Sequence, residues 1–118
     1  MKIPMKESCE LRAISSWRLT RAETRDARLS LRLSGDVDAV ERLLRHSIAC
    51  GHRRLVVHRF MQAAALGLGL DRLDIYEPYF TAATKRLPAG VLAAAEEEAK
   101  SLVMRLGAAR LVPQLVAG

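Results

Sequence analysis

Apolar residues follow a helical period most clearly between Ala89 and Leu106. They recur mainly every three or four residues, which places them on one face of a helix. Pro88 precedes the stretch and Gly107 follows it, and these residue types commonly flank helices. The pattern predicts a helix from Ala89 to Leu106 that ends at Gly107. Its apolar face would consist of Val91, Leu92, Ala95, Ala99, Leu102, Val103 and Leu106.

Two shorter helical patterns adjoin each other in the middle of the chain, from Val37 to Cys50 and from Arg53 to Leu66. Asp36 is a good N-cap for the first, and Gly51 supplies a left-handed residue between them. They predict a helical hairpin. Its first helix also contains two acid-before-base pairs four residues apart, which stabilise a helix. They are Asp38 with Arg42 and Glu41 with Arg45.

A further helix is expected between the glycines at 67 and 69 and the proline at 88. Asp71 or Asp74 would cap its start, and Pro78 would fall in its first turn, where proline is tolerated. Its apolar side contains an aromatic cluster, which we expect to stay exposed and to contact a partner. This cluster consists of Tyr76, Tyr79 and Phe80.

Five arginines precede the hairpin at intervals of three and four residues, and we call them the arginine stripe. They are Arg18, Arg21, Arg25, Arg28 and Arg32. On a helix this spacing places them along one face. Thr20 and Glu23 fit a capping box at the start of such a helix. The stretch therefore predicts a helix from residue 21 to about residue 33, with the arginine stripe as its polar face.

The leucines within the arginine stripe leave a second interpretation open. In a helix, Leu29 and Leu33 would share an apolar face with Leu19 and Ala22, while Leu31 would fall off that face. In a strand, the three leucines at 29, 31 and 33 would all point the same way. A short strand near residues 28–34 is therefore the alternative to the helix.

These patterns together predict one all-α domain over residues 1–118, a compact bundle of four or five helices, about 60–70% helical. The alternative is an α+β fold with the short strand near 28–34. Aromatic residues make up only 4% of the chain, and a core of Leu, Ala and Val favours helix packing. Residues 1–8, which include Pro4, are expected to form a loose N-terminal arm.

The net charge indicates which kinds of partner the protein would attract. It is +6, and the excess of arginine lies in the first half of the chain. Such a surplus attracts nucleic acid, acidic proteins or anionic membranes. No uncharged run is long enough to span a bilayer and no signal peptide is visible, so we expect a cytoplasmic protein with no membrane partner. Cys9 and Cys50 would then be free thiols.

The chemically reactive residues do not form a recognisable catalytic motif. His46, Cys50, His52 and His58 are the only cluster of soft metal ligands, and they lack the spacing of a zinc site. The acidic residues are expected to serve as helix caps or to lie on polar helix faces. The sequence therefore predicts a non-enzymatic protein without cofactor or metal.

The remaining features predict a small regulatory or adaptor protein that binds another protein. The arginine stripe would attract an acidic partner surface, and Tyr76, Tyr79 and Phe80 would anchor it. Apolar surface at these residues and in the tail, at Leu111, Val112, Leu115 and Val116, also suggests a homodimer.

The alternative function is a DNA- or RNA-binding regulator built on the helical hairpin of residues 37–66. The hairpin has the length of a helix-turn-helix and a glycine in its turn. Its second helix would present Arg53, Arg54, His58 and Arg59 to phosphates and base edges. The arginine stripe would then contribute further phosphate contacts.

Overall fold

The computed structural model describes the backbone of residues 14–117 and the side chains of residues 14–107. The described backbone forms five helices, contains no strand and is 83% helical. We number the helices α1 to α5: Arg21–Ser34, Val37–Cys50, Arg53–Ala65, Leu70–Lys85 and Ala89–Ala117. The all-α bundle is therefore confirmed, and the alternative strand near 28–34 is wrong. The expected arm over residues 1–8 and Cys9 lie outside the described residues.

Local capping signals set the ends of the first helices as expected. The Thr20 hydroxyl accepts a hydrogen bond from the Glu23 backbone N–H at 3.1 Å, and the Glu23 carboxylate accepts one from the Thr20 N–H at 3.0 Å. Asp36 accepts from the Asp38 N–H at 3.0 Å. Gly51 ends α2 with a φ of 71°. These contacts join residues close in sequence, which is why the pattern alone predicted them.

Two helix boundaries differ from the prediction. Helix α4 begins at Leu70 after an N-cap at Gly69, so neither Asp71 nor Asp74 caps it and Pro78 lies inside the helix. Helix α5 does not end at Gly107 but continues to Ala117. Both glycine and proline have low helix propensity, yet propensity is a weak constraint that packing elsewhere in a helix can override.

Helix α3 lies at the centre of the bundle, where it packs against α2, α4 and α5, while α1 packs mainly on α2. The core has two parts. The first includes Leu31, Val40, Leu43, Ala63, Leu102 and Leu106. The second includes Leu44, Val56, Val57, Tyr76, Ala83 and Ala95. Helices α2 to α5 contribute buried residues to both parts, whereas α1 contributes only to the first.

The buried face of α1 is not the one expected. Leu31 is only 4% exposed and packs in the core with Ala27, whereas Leu29 is 44% and Leu33 70% exposed. The prediction grouped leucines by their spacing and left Leu31 out. The actual face is determined by where α2 and α5 lie, because Leu31 belongs to the core that includes Leu43 and Leu106.

The turn between α1 and α2 approaches α5 closely at Gly35. Its φ is +65°, a left-handed conformation that side chains disfavour. A Cβ atom added there would lie 2.6 Å from Leu106 Cδ1 and 3.4 Å from Leu66 Cδ2. Glycine is therefore needed twice over, for the backbone conformation and for the contact with α5.

A buried polar network links α2 to α4 around Glu41, which is only 6% exposed. Its Oε2 accepts hydrogen bonds from Arg72 Nη2 at 2.6 Å and Nε at 3.0 Å, and from the Tyr76 hydroxyl. Arg45 Nη2 lies 3.4 Å from the same oxygen. The expected Glu41–Arg45 pair is present, but in the interior. The other expected pair is not formed, since Arg42 contacts Glu23 at 3.6 Å.

Trp17 covers this network from outside. The Arg45 guanidinium lies over its ring, 5.6 Å from the centroid, and over the Tyr76 ring at 5.7 Å. Trp17 also meets Tyr76 and Tyr79 edge to face, at centroid distances of 5.9 and 6.2 Å. These contacts attach the segment before α1 to the opposite helix, α4.

Candidate functional site

A groove of about 1000 Å³ is lined by arginines of three helices. We call it the arginine groove. Its arginines are Arg21, Arg25, Arg28 and Arg32 of α1, Arg59 of α3 and Arg105 of α5. Leucine side chains also line it, at positions 19, 29, 31 and 102. It combines dense positive charge with an apolar surface.

Helix α1 supplies four of the six arginines because its spacing keeps them on one side. From Arg21 to Arg32 the helix rises about 16 Å, roughly three turns. Arg18 is not part of this face, since the helix starts only at Arg21. The Arg18 side chain instead donates to the Ala49 carbonyl at 3.5 Å, near the end of α2. The structure thus brings together four members of the arginine stripe and separates the fifth.

No acidic side chain lines the arginine groove among the described residues. None of its six arginines lies within the 4.0 Å salt-bridge distance of a described carboxylate. Helix α1 has two acids: Glu23 caps the helix and contacts Arg42, and Asp26 does not line the groove. Within the described residues, no carboxylate therefore neutralises the charge of the groove.

His46 of α2 also lines the groove. Its Nδ1 accepts a hydrogen bond from the Leu19 backbone N–H at 2.9 Å. Burial, followed by the positive charges of His52, Arg28 and Arg18, lowers the pKa of His46. The ring is therefore held neutral, and it fixes the segment before α1 against α2.

The four residues of the alternative nucleic-acid set do not share one face. Arg53 and Arg54 are exposed at the start of α3. His58 Nδ1 lies 2.9 Å from Glu98 Oε2 on α5, and Arg59 faces the arginine groove. His58 and Arg59 are therefore not exposed alongside Arg53 and Arg54, because the central helix α3 uses its later turns for packing against neighbours. A role of these residues in nucleic-acid binding stays a prediction.

The aromatic cluster of α4 is also not the exposed patch that we expected. Tyr76 is 0% exposed, because it packs in the core and hydrogen-bonds Glu41. Tyr79 and Phe80 are half-buried. Phe80 stacks on Phe60 with a centroid distance of 4.2 Å. The apolar tail side chains at 111–116 lie outside the described residues, so the homodimer stays a prediction.

Other site classes have less support in the described part of the chain. Within residues 14–107, no three His, Cys, Asp or Glu side chains converge as a metal cluster. Cys50 is a free thiol whose sulfur lies 3.7 Å from His46 Nε2. None of the five helices is long and apolar enough to span a bilayer over the positions searched.

Comparisons with family models, with curated proteins and with solved structures found no significant match for this chain. Its function must therefore be argued from the groove itself.

Sequence reasoning missed Arg105 and His46 as members of the groove and assigned Arg59 to a different site. None of these residues belongs to the regular three- and four-residue spacing of the arginine stripe. Only the packing of α1 against α2 and α5, with α3 at the centre of the bundle, brings them to the arginine stripe. A local signal existed for Arg59 alone, because Gln62 stands one helical turn after it and accepts its hydrogen bond at 2.9 Å.

Proposed function

We propose that this protein is a non-enzymatic regulatory or adaptor protein that binds an acidic segment of another protein in the arginine groove. One observation carries the proposal: six arginines of three helices converge on a groove that also presents leucines and contains no described acid. Acidic side chains of a partner would neutralise the arginines, while its apolar residues would cover the leucines.

The shape of the groove favours an amphipathic helix as the bound segment. Its α1 wall carries arginines over about 16 Å, the length of roughly three helical turns. A partner helix with acids on one side and leucines on the other would match both kinds of lining residue. We also expect the protein to act in the cytoplasm and to form a homodimer, and both stay predictions.

A helical peptide of about 15 residues, with Glu and Leu at helical spacing, tests this proposal. Its affinity is measured by fluorescence anisotropy for the wild type and for two variants of equal charge change. R21E/R25E alters the groove, whereas R53E/R54E alters the exposed start of α3. We expect the groove variant to weaken binding by about tenfold or more, and the control by less than about twofold.

The same variants separate protein binding from nucleic-acid binding. A nucleic-acid regulator would bind duplex DNA or RNA, lose affinity with R53E/R54E, and show a steep salt dependence set by the phosphates that it neutralises. That outcome, together with no measurable binding of the acidic peptide, would contradict the proposed function.

A further inference from the structure

We propose that Arg28 and Arg59 form a phosphate subsite within the arginine groove, and that the bound partner segment carries a phosphorylated side chain there. This inference rests on the proposed function and names the chemistry of the ligand more closely. It concerns one position of the groove, whereas the other arginines would contact flanking acids.

Arg59 is the first part of the subsite. Its side chain is half-buried, it lines the groove, and its Nη1 donates to Gln62 Oε1 at 2.9 Å. That contact holds the guanidinium in place but does not neutralise it. Glu98, an acid close enough to influence it, is in contact with His58. A partly buried guanidinium normally has an anionic partner, and none is present for Arg59 among the described residues.

Arg28 is the second part, and it reaches the site from α1. Burial first, and then the charge of Arg28, lowers the pKa of Arg59. The same charge contributes to the lowered pKa of His46. Arg28, Arg59 and His46 all line the same groove. Two guanidinium groups from different helices therefore line one groove that has no carboxylate among its described lining residues, an arrangement that a bound anion would stabilise.

The charge of the pair favours phosphate over carboxylate. A phosphorylated side chain carries a charge of about −1.5 to −2 and three acceptor oxygens, which matches two guanidinium forks. A carboxylate has one charge and two oxygens, and would leave one guanidinium only partly neutralised.

A protein segment fits the surroundings better than a nucleic acid does. Leucines line the same groove, and none of the described Trp, Tyr or Phe rings does, which leaves the His46 imidazole as the single ring in the lining on which a base could stack. Clusters of arginine are a common means of binding phosphorylated peptides.

The first experiment titrates the protein with inorganic phosphate or with acetate. Binding is monitored by NMR of the His46 ring protons and of the arginine side chains, which gives the affinity for each anion. We expect phosphate to bind at least about tenfold more tightly than acetate. R59Q and R28Q should each weaken the affinity for phosphate by about tenfold or more. The exposed control R53Q should change it by less than about twofold. Arg28 is exposed on α1, so R28Q keeps the test valid if R59Q fails to fold.

Equal affinity for acetate and phosphate, or phosphate binding that persists in both R59Q and R28Q, would overturn the subsite. The Glu- and Leu-containing peptide, with and without one phosphoserine, then tests the partner. We expect phosphorylation to tighten binding by about tenfold or more, and only when Arg28 and Arg59 are present. If an oligonucleotide binds with that dependence and the phosphopeptide shows no gain, the ligand is a nucleic acid and the inference is wrong.

The two proposals fail in different ways. If the unphosphorylated peptide binds through Arg21 and Arg25 but phosphate does not bind, the subsite is wrong and the proposed function stands. If phosphate binds but neither peptide does, the proposed function is wrong. The inference of a phosphorylated partner segment is then wrong as well.

Discussion

The Tyr76 hydroxyl donates a hydrogen bond to the Glu41 carboxylate in the interior, although the two residues stand 35 positions apart in the chain. Arg45 Nε in turn donates to the Tyr76 hydroxyl at 2.5 Å. The tyrosine therefore acts as both donor and acceptor between α2 and α4. Since a buried carboxylate is expensive without hydrogen-bond partners, this contact ties the stability of the bundle to one hydroxyl group.

Replacing Tyr76 by Phe should lower the free energy of unfolding by about 1–2 kcal/mol. The ring would still fill its buried position, but Glu41 would lose a donor and Arg45 an acceptor. Urea unfolding followed by circular dichroism measures the change. The matched control is Y79F at the half-buried neighbour, which should change stability by less than about 0.5 kcal/mol. Equal effects at the two positions would argue against the network as the cause.

Alkaline pH should destabilise the wild type through the same residue. Burial, and then the hydrogen bond to Glu41, raises the pKa of Tyr76 above its ordinary value of 10.0. The unfolded state therefore loses this proton first. The contribution to stability is fully present below pH 10 and is lost as the pH rises through the folded-state pKa.

The test compares thermal unfolding of the wild type and Y76F between about pH 8 and 11, around the ordinary tyrosine pKa. The wild type should be more stable than Y76F near pH 8, and this difference in stability should shrink across the upper part of the range. A constant difference at every pH would show that ionisation of Tyr76 is not linked to folding.

Two glycine substitutions separate backbone strain from close packing. Gly35 and Gly51 both have positive φ, at 65° and 71°, but a Cβ atom would meet Leu106 only at Gly35. We expect G51A to cost about 1–2 kcal/mol for the left-handed backbone alone. G35A should cost about 1 kcal/mol or more beyond that, because Leu106 must move within a packed core. Chemical denaturation of both variants measures the difference, and equal losses would mean that Leu106 adjusts freely.

Acid pH should weaken the attachment of the segment before α1. Burial, followed by His52, Arg28 and Arg18, lowers the pKa of His46 below its ordinary value of 6.5. The unfolded state then binds a proton more readily than the folded state. The contribution of neutral His46 to the stability of the fold is fully present above pH 6.5. It is lost as the pH falls from there through the folded-state pKa.

H46N provides the test, since the asparagine oxygen still accepts a hydrogen bond from the Leu19 N–H but does not titrate. We expect its stability to fall less steeply than that of the wild type below pH 6.5. H52N, at an exposed position, is the control. Its stability should still fall with falling pH almost as steeply as that of the wild type, because burial is the main cause of the lowered pKa of His46. If the stability of H46N falls as steeply as that of the wild type, another group is responsible for the pH dependence.

Local patterns of the sequence predicted that five helical segments form, and set the ends of the first two, but they did not give the start of α4 or the end of α5. The capping contacts of Thr20 with Glu23 and of Asp36 with Asp38 join near neighbours, as does the turn at Gly51. The spacing that aligns four arginines on α1 is equally local. Such features depend on helical geometry alone, so they were predictable without knowing what the helices pack against.

Only the tertiary structure decided which faces are buried and which charges meet. Leu31 is buried while Leu33 is exposed, because α2 and α5 lie against the side of α1 that carries Leu31. Glu41 is buried rather than solvated, because Arg72 and Tyr76 approach it from α4.

The arginine groove has the same origin. Arg59 and Arg105 join the stripe of α1 through the packing of helices distant in sequence. Spacing along one helix places side chains relative to its axis, but which side meets another helix depends on the burial of all five helices together.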